Sequence, residues 1–371
     1  MKRKTKINYE VLIVCFLGFA FGIAARRLAP AAPGFLNLLV FLALGFLLLY
    51  LHLLLHEAGH LLFGLATGYR FLSFRISSLL WVKMDGRIRL KRLSSPLMSV
   101  QCLMAPPELK NGTMPAVLYY LGGCILTLIA AALSSVLLFA FPAWPPLLRV
   151  ALLEFSFLGV LIIVENALLP EIGGLPTDGK NALERLRHPT SVRGMWLQLK
   201  VHELSTDGTR MKDMPAEWFA EPSGEEDKAA AAMLLVYRTF WLMDRSEFAA
   251  AHALTEQLTG GAYPLSKLLR FLLLCDGACC EMLGAAEGGL LAALHNEDME
   301  AVARRMQNSI TVIRTRFFEA LLVRRDRAAA DELRKKLDSM KQTYPSKGDY
   351  AEELALAEAA ETAAGPVDRK P

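Results

Sequence analysis

The sequence predicts an all-α polytopic membrane protein, with roughly four transmembrane helices and a small membrane-associated β-hairpin, followed by a soluble α-helical domain. The 371 residues are 53% hydrophobic with a mean hydropathy of +0.31, and several apolar runs are long enough to cross a bilayer. The second half is instead rich in alanine and leucine at helical spacing. The net charge of +4 is small for this length, so no nucleic-acid partner is expected.

Four apolar segments are predicted to span the membrane: residues 11–25, 35–65, about 114–141 and about 147–169. The basic start of the chain and the small residues after the first segment also fit a cleaved signal peptide. We favour an uncleaved span, because a second span follows at once.

Composition divides the chain into five parts. Residues 1–33 form the N-terminal transmembrane helix and residues 34–204 the membrane core. Turn-forming residues are frequent in 205–228, which predicts a linker. Residues 229–362 form a helical domain, and residues 363–371 a disordered tail.

Basic residues predict the orientation in the membrane. Four precede the first span, and eight lie in the loop from Tyr69 to Thr113. Lysine and arginine accumulate on the cytoplasmic side of membrane proteins. We therefore expect a multi-pass protein of the cell membrane with its N- and C-termini in the cytoplasm.

The basic loop also carries a hairpin signal. Residues 70–78 and 81–90 alternate imperfectly between polar and apolar side chains, and Asp85-Gly86 is a typical turn pair. We expect a small sheet at the membrane surface, whose edge can receive an extended substrate by strand addition. An ordinary surface hairpin is the alternative.

The strongest functional signal is the motif His56-Glu57-Ala58-Gly59-His60 inside the second span. His56 and His60 are one helical turn apart, so both imidazoles project from one face and can hold one metal ion. Glu57 is next around the helix, where its carboxylate can act on water as a general base. Ionisable groups inside a span are costly unless they pair or bind something. The alternative is a polar helix contact in a transporter bundle.

His52 lies one turn before His56 on the same face. Three histidines on successive turns of a straight helix present their nitrogens along a line, which fits a tetrahedral zinc site poorly. We interpret His52 as a residue that packs in the bundle or supports the ligands.

A carboxylate from the end of the fourth span can complete the site. The Pro- and Gly-rich segment 170–179 can bend back to the membrane face at which the motif helix also ends. The candidates are Glu165, Glu171 and Asp178. Gly179 favours Asp178, because glycine permits close approach of the backbone.

These motifs resemble those of the site-2 protease family, which are intramembrane zinc metalloproteases. The histidine motif in a span, followed by Gly68 and a strand-like segment 71–74, looks like the start of that family. Asn166 and Pro170, followed by Asp178-Gly179, resemble its second motif.

A third segment, Gly122 to Thr127, resembles a degraded form of the family's middle motif. Cys124 and Thr127 stand where the family usually has proline and asparagine, so the role of this segment is open. The resemblance covers about residues 35–185.

The resemblance implies Zn²⁺ as the cofactor, with His56, His60 and Asp178 as ligands and Glu57 as the catalytic base. It implies hydrolysis of peptide bonds in membrane-embedded or membrane-proximal protein substrates, as in regulated intramembrane proteolysis. The partners to expect are therefore a membrane protein substrate and the lipid bilayer.

The helical domain contains two predicted helix pairs, 229–243 with 246–258 and 314–323 with 327–340. Their second helices resemble those of tetratricopeptide units, which implies an antiparallel array able to bind a protein partner. A plain helical cap is the alternative. The six cysteines lack paired spacing, so neither a disulfide framework nor a cysteine zinc site is expected.

Two other functions compete with the protease. A catalytically silent membrane scaffold binds partners through its helical tail, but the intact Glu57 argues against it. A multi-span metal transporter usually has ionisable groups on several spans.

Overall fold

The computed structural model of the protein describes residues 35–84, 86–92, 100–172, 175–224 and 226–365. The predicted first span, residues 11–25, lies outside this part of the chain, as does most of the predicted tail. Residues 363–364 of that tail are helical, because the last helix continues to Ala364 and ends at Gly365, whose φ is +77°.

The membrane part and its loops contain helices and strands in the order α1 (Phe35–Ala66), β1 (Arg70–Ile76), β2 (Leu79–Met84), β3 (Arg87–Arg92), β4 (Val100–Ala105), α2 (Val117–Ala140), α3 (Pro146–Ile163), β5 (Glu171–Ile172), β6 (Leu175–Pro176) and α4 (Asp178–Arg187). The rest of the described chain is helical: α5 (Arg193–Asp207), α6 (Lys228–Asp244), α7 (Phe248–Gln257), α8 (Lys267–Met282), α9 (Leu290–Leu294), α10 (Glu297–Arg305), α11 (Ile310–Phe318), α12 (Arg327–Ser339) and α13 (Lys347–Ala364).

Three helices are long and apolar enough to cross a membrane: Leu39–Ala66, Val117–Ala140 and Pro146–Leu168. They coincide with the second, third and fourth predicted spans. Their outward apolar side chains are exposed, as for Leu47 at 62% and Phe139 at 74%. Such exposure is unfavourable in water and favourable against lipid.

The first and second of these helices pack with their backbones close together. A Cβ on Gly59 of α1 would lie 2.2 Å from the carbonyl oxygen of Gly122 on α2. Small residues at helix interfaces in membranes permit this approach. It brings the face of α1 that carries the two motif histidines against α2.

The four long strands form one sheet in the order β3-β2-β1-β4. Strands β2 and β3 are antiparallel, with Trp81 opposite Leu90 and Met84 opposite Arg87. Gly86 has a φ of +74° in the turn between them, so the predicted hairpin at Asp85-Gly86 is confirmed. The sheet is larger than that hairpin, because β1 and β4 also belong to it. Strand β4 has six residues, and its alternation is too brief to stand out in the sequence.

After α3, the chain returns to α1 through a short two-stranded turn, β5 paired with β6. Thr177 then anchors α4 to the end of the fourth predicted span. Its backbone N–H donates to the carbonyl of Pro170 at 3.2 Å, and its hydroxyl donates to the carbonyl of Leu169 at 2.5 Å. The same hydroxyl accepts the N–H of Lys180 at 3.3 Å and so caps the helix that begins with Asp178.

Contacts divide the chain into two compact units. The first comprises the described parts of residues 1–78, 94–103 and 115–187, and the second those of 79–93, 104–114 and 188–371. This division differs from the predicted boundary after residue 204, because α5 buries Trp196 and Leu197 in the second unit.

The segment predicted as a linker, 205–228, is also packed within the second unit. Phe219 is fully buried and stacks on Trp241 at 5.4 Å between ring centroids. Phe219 is thus part of the core of this unit, and the half-buried Trp218 packs against Trp196. The predicted helix pairs correspond to α6 with α7 and α11 with α12, while the tetratricopeptide resemblance stays a prediction.

Candidate metal centre

Three side chains in the first unit converge on one point: His56 and His60 from α1, and Asp178 from the first turn of α4. The distance from His56 Nε2 to Asp178 Oδ2 is 3.0 Å, that from His60 Nε2 to the same oxygen is 3.3 Å, and that between the two Nε2 atoms is 3.2 Å. Both histidines are buried. Among the described residues, this is the only group of three whose ligand atoms lie within 4.8 Å of one another.

The triangle fits a tetrahedral metal. Bonds of about 2.0 Å in tetrahedral geometry place neighbouring ligand atoms about 3.3 Å apart. The three observed spacings of 3.0, 3.2 and 3.3 Å lie close to that value. Two imidazoles and one carboxylate are also a usual donor set for a catalytic zinc, with a fourth position left open.

His60 is held in the tautomer that a metal requires. Its Nδ1 donates a hydrogen bond to the backbone carbonyl of Tyr119 at 2.8 Å. When Nε2 carries no proton, its lone pair faces His56 and Asp178 and can bind a metal; when Nε2 is protonated, it donates to Asp178 instead. Within the described chain, the buried Nδ1 of His56 has no hydrogen-bond partner.

Asp178 is positioned by its backbone. A Cβ on Gly179 would lie 2.1 Å from the carbonyl oxygen of Ala167, so only glycine permits this approach of α4 to the end of the fourth predicted span. Burial raises the pKa of Asp178, but its hydrogen bonds with His56 and His60 outweigh burial and lower that pKa to about 2. The side chain is thus the carboxylate that a cation prefers.

Glu57 is held beside this triangle by strand β4. The backbone N–H of Cys102 donates to Glu57 Oε2 at 2.6 Å. Because β4 is an edge strand, its outward N–H groups are not used by the sheet. Glu57 and the three candidate ligands line one cavity of about 330 Å³, together with Tyr120 and Asn166. The cavity lies directly beside the Glu57 carboxylate and the three candidate ligands.

Helix α2 forms the wall behind His56. A Cβ on Gly123 would lie 2.6 Å from His56 Nε2. Gly122 and Gly123 therefore permit both the close helix contact and the position of the imidazole. In the segment that resembles a degraded middle motif, Gly122 and Gly123 thus leave the space that α1 and His56 occupy.

The remaining candidates lie elsewhere. His52 Nε2 bonds to the backbone carbonyl of Phe155 at 2.7 Å, and the ring stacks on that of Phe155, so His52 packs in the bundle. Glu165 is outside the three-residue group. The side chain of Glu171 is outside the described part of the chain.

Comparisons of the chain with models of protein families, with curated proteins and with solved structures find no match.

Two contacts at the site were not predicted from the sequence. The carbonyl of Tyr119 fixes the ring of His60, and the N–H of Cys102 fixes Glu57. Both are backbone groups, which every residue carries, so the residue types give no signal. Recognising residues 100–105 as an edge strand would have indicated that the N–H of Cys102 is available to Glu57.

Metal analysis tests the ligand assignment. We expect about one zinc per purified chain, and binding at least about a hundred-fold weaker in His56→Ala, His60→Ala and Asp178→Ala. The matched controls His295→Ala and Asp298→Ala, both at exposed side chains of the second unit, should retain zinc. Zinc content after dialysis against a chelator is the measurement. Full zinc retention with normal activity in Asp178→Ala contradicts the third ligand.

A glycine substitution tests the role of α2. Gly123→Ala places a methyl group on His56 Nε2, so the imidazole has to move and zinc affinity should fall at least about ten-fold. Gly260→Ala is the control, because a Cβ there meets nothing within 4 Å. Chelator competition gives both affinities. Equal affinities in the two variants would show that His56 is not held against this glycine.

Proposed function

We propose that the chain is an intramembrane zinc metalloprotease of the kind that the site-2 protease resemblance implies. The observation that carries the proposal is the triangle of His56 Nε2, His60 Nε2 and Asp178 Oδ2 beside the carboxylate of Glu57, inside a bundle of membrane-spanning length. Buried groups of this kind are costly unless they share a cation.

In this proposal His56, His60 and Asp178 hold the zinc. A zinc ion at such a site supplies Lewis acidity, which lowers the pKa of water and polarises a carbonyl group. Glu57 accepts a proton from the attacking water and passes it to the leaving amine. The N–H of Cys102 occupies one oxygen of Glu57, and the side chain lines the cavity.

The edge strand β4 supports an extended substrate. It contacts Glu57 through Cys102, so a peptide that adds to this edge runs past the general base. A helical substrate has to unwind before hydrolysis, because its backbone bonds are otherwise satisfied internally. The substrate class is therefore a membrane-embedded or membrane-proximal segment that can become extended.

We also propose a multi-pass location in the cell membrane, with both termini and the loop after α1 in the cytoplasm. The eight basic residues of that loop support it. In this arrangement the second unit is cytoplasmic and available to a protein partner.

Glu57→Gln tests the catalytic role. Glutamine is nearly the same shape and can bond the Cys102 N–H through its oxygen, but its amide cannot accept the proton. We expect zinc content and fold to be retained and cleavage to fall by about 10² to 10⁴. Cleavage of a generic membrane substrate in detergent or vesicles is the assay, and comparison of membrane proteomes reveals natural substrates that accumulate uncut.

The matched control is Glu297→Gln, an exposed glutamate of α10, which should cleave at the unsubstituted rate. Cleavage at that rate by zinc-loaded Glu57→Gln contradicts the catalytic role of Glu57. Absence of cleavage by the unsubstituted, zinc-loaded chain on all membrane substrates tested favours the silent scaffold.

Cysteine labelling tests the orientation. Single cysteines at exposed positions Leu90 and Ala229 should be protected from an impermeant reagent in intact cells, while one at Ala143, between α2 and α3, should react. The unsubstituted chain gives the background from its own thiols. Strong labelling at position 229 by the impermeant reagent in intact cells would contradict the proposed orientation.

A further inference from the structure

The second unit contains a cavity of about 220 Å³ among α5, α6, α8, α11 and α13. Its walls are unusually acidic. Four carboxylates line it, Asp276, Asp349, Glu352 and Glu353, against the single guanidinium of Arg314. His202 also lines the cavity, where burial lowers its pKa.

The guanidinium is already engaged. Arg314 bonds Asp276 at 2.5 Å and Glu353 at 3.1 Å, and all three side chains are largely buried. Two carboxyl groups share one guanidinium, and burial raises the pKa of both Asp276 and Glu353. Glu352 and Asp349 add two further carboxyl groups to the same cavity.

Glu352 is the decisive residue. It is only 9% exposed, it lines the cavity, and among the described residues it has no hydrogen-bond or ion-pair partner. Burial raises the pKa of Glu352 well above its usual range, and Asp244 and Asp349 raise it further. An ionised carboxylate at this position is unfavourable unless a cation lies beside it, so a cationic ligand would stabilise it.

The rest of the lining favours an organic cation over a metal ion. Within the described chain, no three of these acidic groups place their oxygens within 4.8 Å of one another. Tyr237, Phe240 and Tyr344 instead offer aromatic surface, and Leu272 and Leu356 offer aliphatic surface. Aromatic faces attract ammonium and guanidinium groups, and apolar walls accommodate the stem that carries such a group.

We propose that this cavity binds an ammonium or guanidinium group on a short aliphatic stem, with Glu352 as its principal counter-ion. Asp349 and Tyr344 are half-buried, and the cation enters past them. A free amine and a lysine or arginine side chain of a protein share this chemistry. The site is independent of the metal centre, so its test does not depend on proteolysis.

Calorimetric titration of the full-length chain in detergent tests the proposal. The probes are cadaverine and agmatine as free amines, N-acetyl-lysine amide and N-acetyl-arginine amide as models of protein side chains, and pentanol as a neutral analogue. We expect saturable binding of one or more cations, none of pentanol, and affinity at least about ten-fold weaker in Glu352→Gln. Preference for the amides over the free amines assigns the source to a protein partner.

The control is Glu358→Gln, the same change at an exposed position on the same helix, which should bind like the unsubstituted chain. Thermal unfolding separates binding from structure. Glu352→Gln removes an unpaired buried carboxylate and should not lower the unfolding temperature, whereas a carboxylate needed for folding would lower it. Asp349→Asn is the second variant if Glu352→Gln fails to fold, with the same expected loss of affinity.

Binding of pentanol as tightly as cadaverine, equal cation affinity in Glu352→Gln and Glu358→Gln, or no saturable binding of any of the four cations overturns the proposal.

Discussion

The first unit depends on placing two imidazole nitrogens and one carboxylate oxygen within 3.3 Å of one another inside an apolar bundle. In such surroundings buried polar groups without partners are costly, so the fold has to supply either a shared cation or complete hydrogen bonding. Outside the triangle it supplies one bond to the ring of His60 and, among the described residues, none to Nδ1 of His56. In the proposed metal centre, a cation would be shared by the two Nε2 atoms and the carboxylate oxygen.

Close backbone approach makes that triangle possible. Gly59 and Gly122 allow the backbones of α1 and α2 to come into contact, and Gly123 leaves room for His56. Gly179 allows the start of α4 to contact the end of the fourth predicted span. A methyl group at any of these positions would meet atoms within 2.6 Å. The site is therefore a consequence of helix packing as much as of its polar side chains, and the chemistry is sensitive to changes that carry no charge.

The parts of this arrangement that depend on side-chain type could be predicted from the sequence. Apolar length predicted α1, α2 and α3, and the Asp85-Gly86 pair predicted the hairpin. The bend after the fourth predicted span made three carboxylates candidates, and Gly179 favoured Asp178, which the structure places beside the histidines. Sequence reasoning did not predict β4, whose alternation covers six residues, or the backbone groups that orient Glu57 and His60. Nor did it single out Glu352, because a glutamate on an alanine-rich helix has the pattern of a solvated surface and only tertiary packing buries it.

Zinc K-edge X-ray absorption of the purified chain tests the metal centre most directly. If His56, His60 and Asp178 hold the zinc, we expect a first shell of nitrogen and oxygen at about 2.0 to 2.1 Å, with the multiple-scattering signature of two imidazoles and four-fold coordination. A sulfur shell at about 2.3 Å, a six-coordinate oxygen shell, or a spectrum without imidazole scattering would contradict the assignment of His56, His60 and Asp178 as the ligands.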